Sequence, residues 1–381
     1  MSETAVGLAL EVIDDEPGLA ALRDEWERLE RLDPECTPFN TWLWNSLWWR
    51  HYAATGARSR RLRVLALRAR NRDGATGRAV ALLPLQVSRE RRLGVLRADT
   101  LRFLGSGGDT SPDYLNLVAE PASRARAERR LLDAVFAMDD WQHLHLSDVA
   151  SPSSLETALD ERLAHERGVR LGGRVNSIRV ATLPSSWEDY RLALSRKRRK
   201  QINHRRNRLE RAGRCELGIA ATPAELAEAR EALVELHRAR WRSKGERGAF
   251  VSREYVDFHR AVIEGFFARD ALWLATLRLD GRIIGVQYVF RWRDALLFFQ
   301  SGYSPAHEGL SPGHVLFTHV IGEGIARGLR RVDMLKGDYD YKRVYARRTR
   351  RTRDISYLRP GALATLVALR DRLRRLRGSA T

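Results

Sequence analysis

The sequence predicts a mixed α/β fold, of α/β or α+β class, built as two lobes of related architecture with a basic helical segment between them. Two observations carry this. The order hairpin, strand, loop, helix, strand occurs twice, over residues 62–146 and again over 271–335, and interleaved strand and helix patterns of this kind mark sheets covered by helices. Between the two stretches lie long polar helices dense in arginine. The boundaries drawn from these patterns are 1–180 for the first lobe, 181–270 for the helical segment and 271–381 for the second lobe.

Leu8–Ile13 reads as an opening strand. Pro17–Leu32 holds Leu19, Leu22, Trp26 and Leu29 at helical spacing. Asn40–Tyr52 predicts a second helix, capped by Asn40 or Thr41, that carries Trp42, Trp44, Trp48 and Trp49. Such an aromatic stripe packs a core or lines an acyl or sugar pocket, with Trp42 the residue offered to a substrate. Leu62–Arg70 and Arg78–Ser88 are strands joined by a turn with Gly74 and Gly77. The Gly-rich stretch Gly105–Tyr114 lacks the Lys and the spacing of a Walker loop. It is a plain turn, or a surface where Asp109, Asp113 and Tyr114 recognise an acceptor. A helix over Pro121–Met138, a strand at His143–Leu146, a helix over Ser154–Arg167 and strands within Val169–Leu183 complete the lobe.

Ser185 or Ser186 then opens one long helix, Trp187–Ala212, ending at Gly213. Within it and just beyond, Arg196–Arg214 holds ten basic residues against one acidic, Glu210: net +9 of the chain's +19. A segment this dense attracts polyanions such as tRNA, CoA phosphates or anionic lipid, or it is the solvated face of a helix. A short strand, Cys215–Ala220, and helices over Pro223–Lys244 and Tyr255–Phe267 follow.

In the second lobe Ala271–Leu279 alternates as a strand, Asp280–Arg282 is a tight turn, Arg282–Trp292 returns and Ala295–Tyr303 is a third strand. The loop Ser304–Gly313 leads into a helix over His314–Gly328, then a short strand over Arg330–Leu335 and the run Lys336–Lys342. A helix start leaves backbone N–H groups unpaired, and with the helix dipole behind them they attract phosphate. Ser311 can cap this helix, Pro312 suits its first turn, and Gly313 admits a ligand close to the backbone. An ordinary helix start uses the same residues. A second basic cluster runs from Arg343 to Arg353, followed by a strand at Asp354–Leu358 and a basic helix over Leu363–Arg377.

The residues FFQSGYSPAHEGLSPGHVLF, the run IARGLRRVDMLKGD, and GDYDYK with Gly337-Asp338 and Tyr341-Lys342 carry a family likeness. They resemble the second half of a GNAT acyltransferase core, specifically of the FemAB-like and CelD-like N-acyltransferases. Pro38–Trp49 is similar to that family's opening, and the likeness runs over about residues 8–358. The usual GNAT signature Arg/Gln-x-x-Gly-x-Gly/Ala is replaced here by Ser304–Gly313. The resemblance implies two tandem GNAT-like lobes, an acyl-CoA co-substrate, and a helical arm that in FemAB-like enzymes bears on aminoacyl-tRNA.

Composition narrows the setting. The 67 basic residues comprise only five lysines, hence 67 − 5 = 62 arginines, a bias that reflects coding composition as well as function. Two cysteines, Cys36 and Cys215, stand far apart without ligand spacing, which predicts no structural metal and a reduced, cytoplasmic setting. The N-terminus is acidic, unlike a signal peptide. No stretch approaches the roughly 20 apolar residues of a membrane span, so membrane contact is peripheral if it occurs.

Acyl transfer to an amine requires that the donor be held, the ammonium deprotonated and the oxyanion stabilised. In the GNAT pattern the donor's arm enters where two parallel strands splay, here by order Ala295–Tyr303 and Arg330–Leu335. The resemblance makes Ser311, Gly313, His314 and Val315 the donor's phosphate site, with Gln300 a weaker candidate and Arg343 a phosphate partner from the basic cluster. Asp338 is the base or holds the acceptor ammonium; alternatively it caps the next helix. Lys342 binds a phosphate or carboxylate, pairs with Asp338, or sits in a surface ion pair. Tyr303 protonates the leaving thiolate, Tyr341 meets the substrate, and Glu308 is a lesser candidate. The expected reaction moves an acyl group, acetyl first, from CoA or a carrier-protein thioester to an amine on a sugar, amino acid or envelope precursor. The rivals are an aminoacyl-tRNA donor and a catalytically idle scaffold that binds a polyanion or a partner protein.

Overall fold

The computed structural model describes residues 7–54, 60–71, 73–92, 96–337 and 340–378. They pack as two compact units, 1–176 with 351–381, and 177–350. The first opens with β1 (Leu8–Ile13), α1 (Glu16–Ala21), α2 (Arg23–Leu32) and α3 (Trp42–Tyr52). β2 (Arg60–Arg70), β3 (Thr76–Arg92), β4 (Leu96–Phe103), the two-residue β5 (Val118–Ala119), α4 (Arg124–Ala137), β6 (His143–Ser151), α5 (Ser154–Ala164) and β7 (Val169–Leu171) follow. β1 to β4 form an antiparallel meander, and β4 then pairs in parallel with β6 through Thr100–His143 and Leu101–Leu144.

Two helices replace the single one read over 17–32, because Asp15 caps α1 through the Gly18 N–H and Leu22 closes it before α2 begins. The tryptophans of α3 serve this unit's packing. Trp42 donates its indole N–H to the Leu19 carbonyl, Trp44 to Gly105, Trp48 to Thr110 and Trp49 to Glu16. Gly105 has φ +74° and lies so close to Trp44 that a Cβ there would sit 2.7 Å from the indole, so only glycine fits. A buried ionic seam joins α2 to α4: Arg124 pairs with the fully buried Asp33 and reaches Glu128.

The second unit contains most of β8 (Val175–Thr182), then α6 (Trp187–Ala193), α7 (Arg196–Ala212), β9 (Cys215–Ile219), α8 (Pro223–Ser243) and α9 (Arg253–Phe267). β10 (Leu272–Leu279), β11 (Arg282–Trp292), β12 (Ala295–Tyr303), α10 (Pro312–Ala326), β13 (Arg331–Asp333) and α11 (Asp340–Tyr345) complete it. Its strand order is β8, β13, β12, β11, β10, β9, all antiparallel except β12 with β13. The stretch 181–270, read as a separate segment, packs inside this unit because β9 pairs with β10 and α8 lies on β10–β12. The long helix read over 187–212 is broken: Leu194 is extended, and Ser195 caps α7 by accepting the Arg198 N–H. Such a hydroxyl competes with helical continuation.

α8 starts with a capping box, Thr222 with Glu225, behind Pro223. It comes so close to β12 that a Cβ on Gly302 would lie 2.7 Å from the His237 nitrogen and 2.9 Å from the Leu233 carbonyl. On the opposite face Val315, Leu316, Phe317, Val320, Ile321 and Ile325 of α10 pack against Trp273, Leu277, Val289, Leu296 and Phe298. Burial of each such side chain contributes roughly 1.5–3 kcal/mol. Past residue 350 the chain returns to the first unit: β14 (Arg348–Leu358) pairs with β6 and β7, and α12 (Ala362–Gly378) ends the description.

Candidate active site

The site is built where β12 outruns its neighbour. The parallel ladder of β12 with β13 ends at Leu297–Asp333, whereas β12 continues to Tyr303. The register against β11 shifts between Tyr288 and Val289, leaving Phe299 as the extra residue of a bulge that re-aims the end of β12. Phe299 turns into an aromatic cluster with His259, Tyr288 and Phe290. Beyond the bulge, β12, the start of α10 and the end of α8 enclose a cavity of about 250 Å³.

Ser301, Tyr303, Glu308, Ser311, Gly313 and His314 line it, together with Arg240, Gln287 and Phe317. The structure thus brings together Tyr303, Glu308, Ser311, Gly313 and His314 of the residues read from sequence. Ser311 stands at the cap position with φ 58° and ψ 48°. In that left-handed conformation its hydroxyl does not cap α10; its carbonyl closes the first turn by accepting the N–H groups of His314 and Val315. Gly313 borders Tyr303, with an added Cβ only 3.4 Å from the ring.

His314 also borders a second hollow, of about 500 Å³, between α7 and α10, where Val315, Arg205, Arg206, His319 and Tyr345 lie. Its Nδ1 is 3.1 Å from the Tyr345 hydroxyl. Burial, with Arg205 and Arg198 nearby, lowers its pKa to about 4, so the imidazole is neutral at neutral pH. Burial raises the Tyr345 phenol. A third hollow, of about 540 Å³, is lined by Lys197, Lys200, His204, Arg205, Arg208 and again Ser311. The basic run is therefore more than a solvated helix face: part of it lines two hollows beside the start of α10.

Lys342 is buried, so it is not part of a surface ion pair. It is 5% exposed, and its ammonium donates to the carbonyls of Met334, Leu335 and Lys336 at 2.6, 3.0 and 2.8 Å. Its three donors hold the turn after β13, where Leu335 and Gly337 have φ 50° and 99°. Asp338 lies outside the described residues, and so does the side chain of Tyr341. Gln300 pairs with Tyr288 across the sheet and offers its carbonyl to Gln287 Nε2; it is not among the cavity's lining residues. Arg343 is exposed on α11, and Arg353 of the same cluster is bound in the first unit by Glu156 and Asp160. The second half of the basic cluster lies on β14, which pairs with β6 and β7.

Of the candidates in the first unit, Asp113 and Tyr114 are interior groups, Trp42 is half-buried and Asp109 is exposed. Asp113 is 1% exposed and Tyr114 4%, the latter with φ 56°. Asp109 accepts from Tyr52, and Trp42 is covered by Arg23. Arg240, Gln287 and Phe317 were missed. They come from three separate elements, and only the contact of α8 with β12 brings Arg240 to Tyr303. The available signal was Gly302, which permits that approach.

Among the described residues no three or more His, Cys, Asp or Glu side chains gather as a metal site, and no helix is long and apolar enough to cross a membrane.

Residues 196–343 match the family described as an acetyltransferase (GNAT) domain. Among solved structures, FemX is similar over 94% of this chain and 99% of its own, at 10% identity and TM-score 0.57. The C-terminal domain of a protein from Agrobacterium fabrum named after lysylphosphatidylglycerol synthetase aligns over 92% and 95%, at 11% identity and TM-score 0.51. A tandem GNAT protein from the clavulanic acid biosynthesis pathway aligns over 93% and 100%, at 14% identity and TM-score 0.45. No curated protein matches the sequence.

Proposed function

We propose that this chain, a GNAT-superfamily acyltransferase of FemAB-like fold, moves an acyl group from acyl-CoA to the amine of a small acceptor. The observation that carries the reading is the end of the β12–β13 ladder at Leu297–Asp333, beside a cavity at the start of α10. A donor's acyl arm fits between the parted strands. The first turn of α10 and the third hollow, with Lys197, Lys200, Arg205 and Arg208, suit its phosphates in charge and position.

In the reaction the amine nitrogen attacks the thioester carbon. The C–N bond forms, the C–S bond breaks, and the amine gives up a proton while the departing thiolate gains one. Tyr303 lines the cavity and is our candidate for the proton given to sulfur. Asp338, which follows in sequence the turn that Lys342 secures, is our candidate base. Lys342 itself acts by positioning, since its protons are already engaged. Acetyl is the first choice of acyl group, and a sugar, amino acid or envelope precursor the class of acceptor.

A second reading rests on α7: its cations also suit a tRNA, which would make the donor an aminoacyl ester. Calorimetry with acetyl-CoA, desulfo-CoA and bulk tRNA, at low and moderate salt, separates the two. We expect CoA binding that survives moderate salt and is lost in Gly313→Trp. Tight, salt-sensitive tRNA binding without CoA binding would promote the second reading and sink the first.

A further inference from the structure

Arg240 is partly buried and meets no carboxylate among the described residues. Arg68, Arg102, Arg124 and Arg230 each meet a carboxylate. Arg240 lines the cavity with its guanidinium stacked 4.3 Å from the Tyr303 ring centroid, and its one hydrogen bond is a long one, 3.5 Å, to Ser301 Oγ. Its Nε is shielded from solvent and makes no hydrogen bond. Among the described residues no acid pairs with it. A cation held this way is costly unless an anion completes it, and a planar guanidinium fixed over a ring presents its edge for two-point capture of a carboxylate.

Glu308 lines the same cavity. In a chain with 67 Lys and Arg against 48 Asp and Glu, its carboxylate pairs with no cation among the described residues. The other polar side chains of the lining, Gln287, Ser301, Tyr303, Ser311 and His314, are neutral at neutral pH. The cavity therefore offers one partly buried cation and one exposed carboxylate, neither paired with an opposite charge among the described residues. Its volume of about 250 Å³ lies below the roughly 300–1,000 Å³ of sites for drug-sized ligands.

From this pairing we infer that the cavity binds a free α-amino acid as the acyl acceptor, its carboxylate on Arg240 and its ammonium on Glu308. A diphosphate fits less well there, because Glu308 would oppose it. Its complement is the basic side of α10, where Lys197, Lys200, Arg205 and Arg208 stand. The inference rests on the acyltransferase reading for the term acceptor, but the binding event does not depend on it.

The test measures binding to the full chain by calorimetry, without turnover. The probes are L-alanine, L-lysine, L-phenylalanine and L-glutamate, each beside its decarboxylated amine, with acetyl-CoA titrated separately. The expected result is that at least one amino acid binds and its decarboxylated partner binds at least about tenfold more weakly, the effect of a lost charged hydrogen-bond pair. Arg240→Gln and Glu308→Gln should each weaken the amino acid by about tenfold or more and leave acetyl-CoA unchanged. Arg240→Lys keeps the charge without the fork and should fall between, and unchanged melting temperatures show that the variants fold. Equal binding of amine and amino acid, or no binding of any of the four, overturns the proposal. So does an Arg240→Gln variant that weakens acetyl-CoA instead, although the acyltransferase reading then stands. Amino-acid binding without any acetyl-CoA binding does the reverse, supporting this site while removing the CoA donor.

Discussion

The two units contain the same device with opposite outcomes. In each, the last strand of an antiparallel meander runs parallel to the strand that follows the next helix: β4 with β6, and β12 with β13. In the first unit the loop after β4 comes back to close the gap. Leu115 bridges to Val149 of β6, and its N–H donates to the Asp148 carbonyl at 3.1 Å. The rest of that loop is tied down by Trp44, Trp48 and Tyr52. In the second unit the chain after β12 passes through a short 3-10 helix, Pro305–Leu310, into α10, and a cavity lined by Arg240 and Glu308 remains. A parted pair of parallel strands is thus a scaffold where the chain fills it and an open cavity where it does not.

The largest effect expected from this contrast is in the closed unit. Asp33→Ala removes the fully buried carboxylate that answers Arg124. It should cost about 3–5 kcal/mol, read as a lower urea midpoint, with ligand binding by the remaining native protein unchanged. A loss under about 1 kcal/mol would mean that the first unit is not held by its polar seam.

Next comes the pH response of the open unit. His237 donates from Nδ1 to the Ser301 carbonyl at 3.0 Å and accepts the Ala249 N–H at Nε2, and burial lowers its pKa from 6.5 to about 4. The unfolded chain binds this proton more readily, so stability is full above pH 6.5 and is lost as pH falls from 6.5 towards 4. At 1.36 kcal/mol per unit the loss approaches about 3 kcal/mol. Hydrogen exchange across that range should show protection falling at α8 and β12, and His237→Gln should flatten the slope. A pH-independent profile would refute it.

Gly313→Trp fills the open cavity and so imitates what the first unit does with its own loop. We expect acyl transfer to drop by about a hundredfold, or roughly 2.7 kcal/mol of transition-state stabilisation, with the melting temperature held. Retained activity would place the chemistry elsewhere.

The contrast also explains what the sequence disclosed. Strand and helix periodicities are local, so β11, β12 and the course of β10 and α10 were legible almost to the residue. Tyr303, Ser311, Gly313 and His314 follow one another closely in the chain, and their shared cavity was legible for the same reason. Arg240 was not, because sixty-odd residues separate α8 from the end of β12 and nothing in its helical pattern distinguishes it from its neighbours. The same limit hid the return of β14 to the first unit, since a strand's partner is a long-range fact. The break at Leu194 was missed for an opposite reason: Ser195 looked like one polar residue within a polar helix, and only its cap geometry reveals a helix start.

Lys342 gives the smallest and most discriminating prediction. A lysine beside a turn next to the proposed base invites a catalytic role, yet its ammonium is shared by the carbonyls of Met334, Leu335 and Lys336. Lys342→Met keeps the length of the side chain and removes the donor. It should cost about 2 kcal/mol of stability, the penalty for buried carbonyls left unsatisfied. If the residue positions the turn, kcat falls modestly while the pH–rate profile keeps its shape, because no titrating group has been removed from the reaction. A catalytic lysine would instead take one limb of that profile with it, and its loss would leave stability almost untouched. The two roles therefore predict opposite pairs of observations, and the buried geometry of Nζ argues for the first.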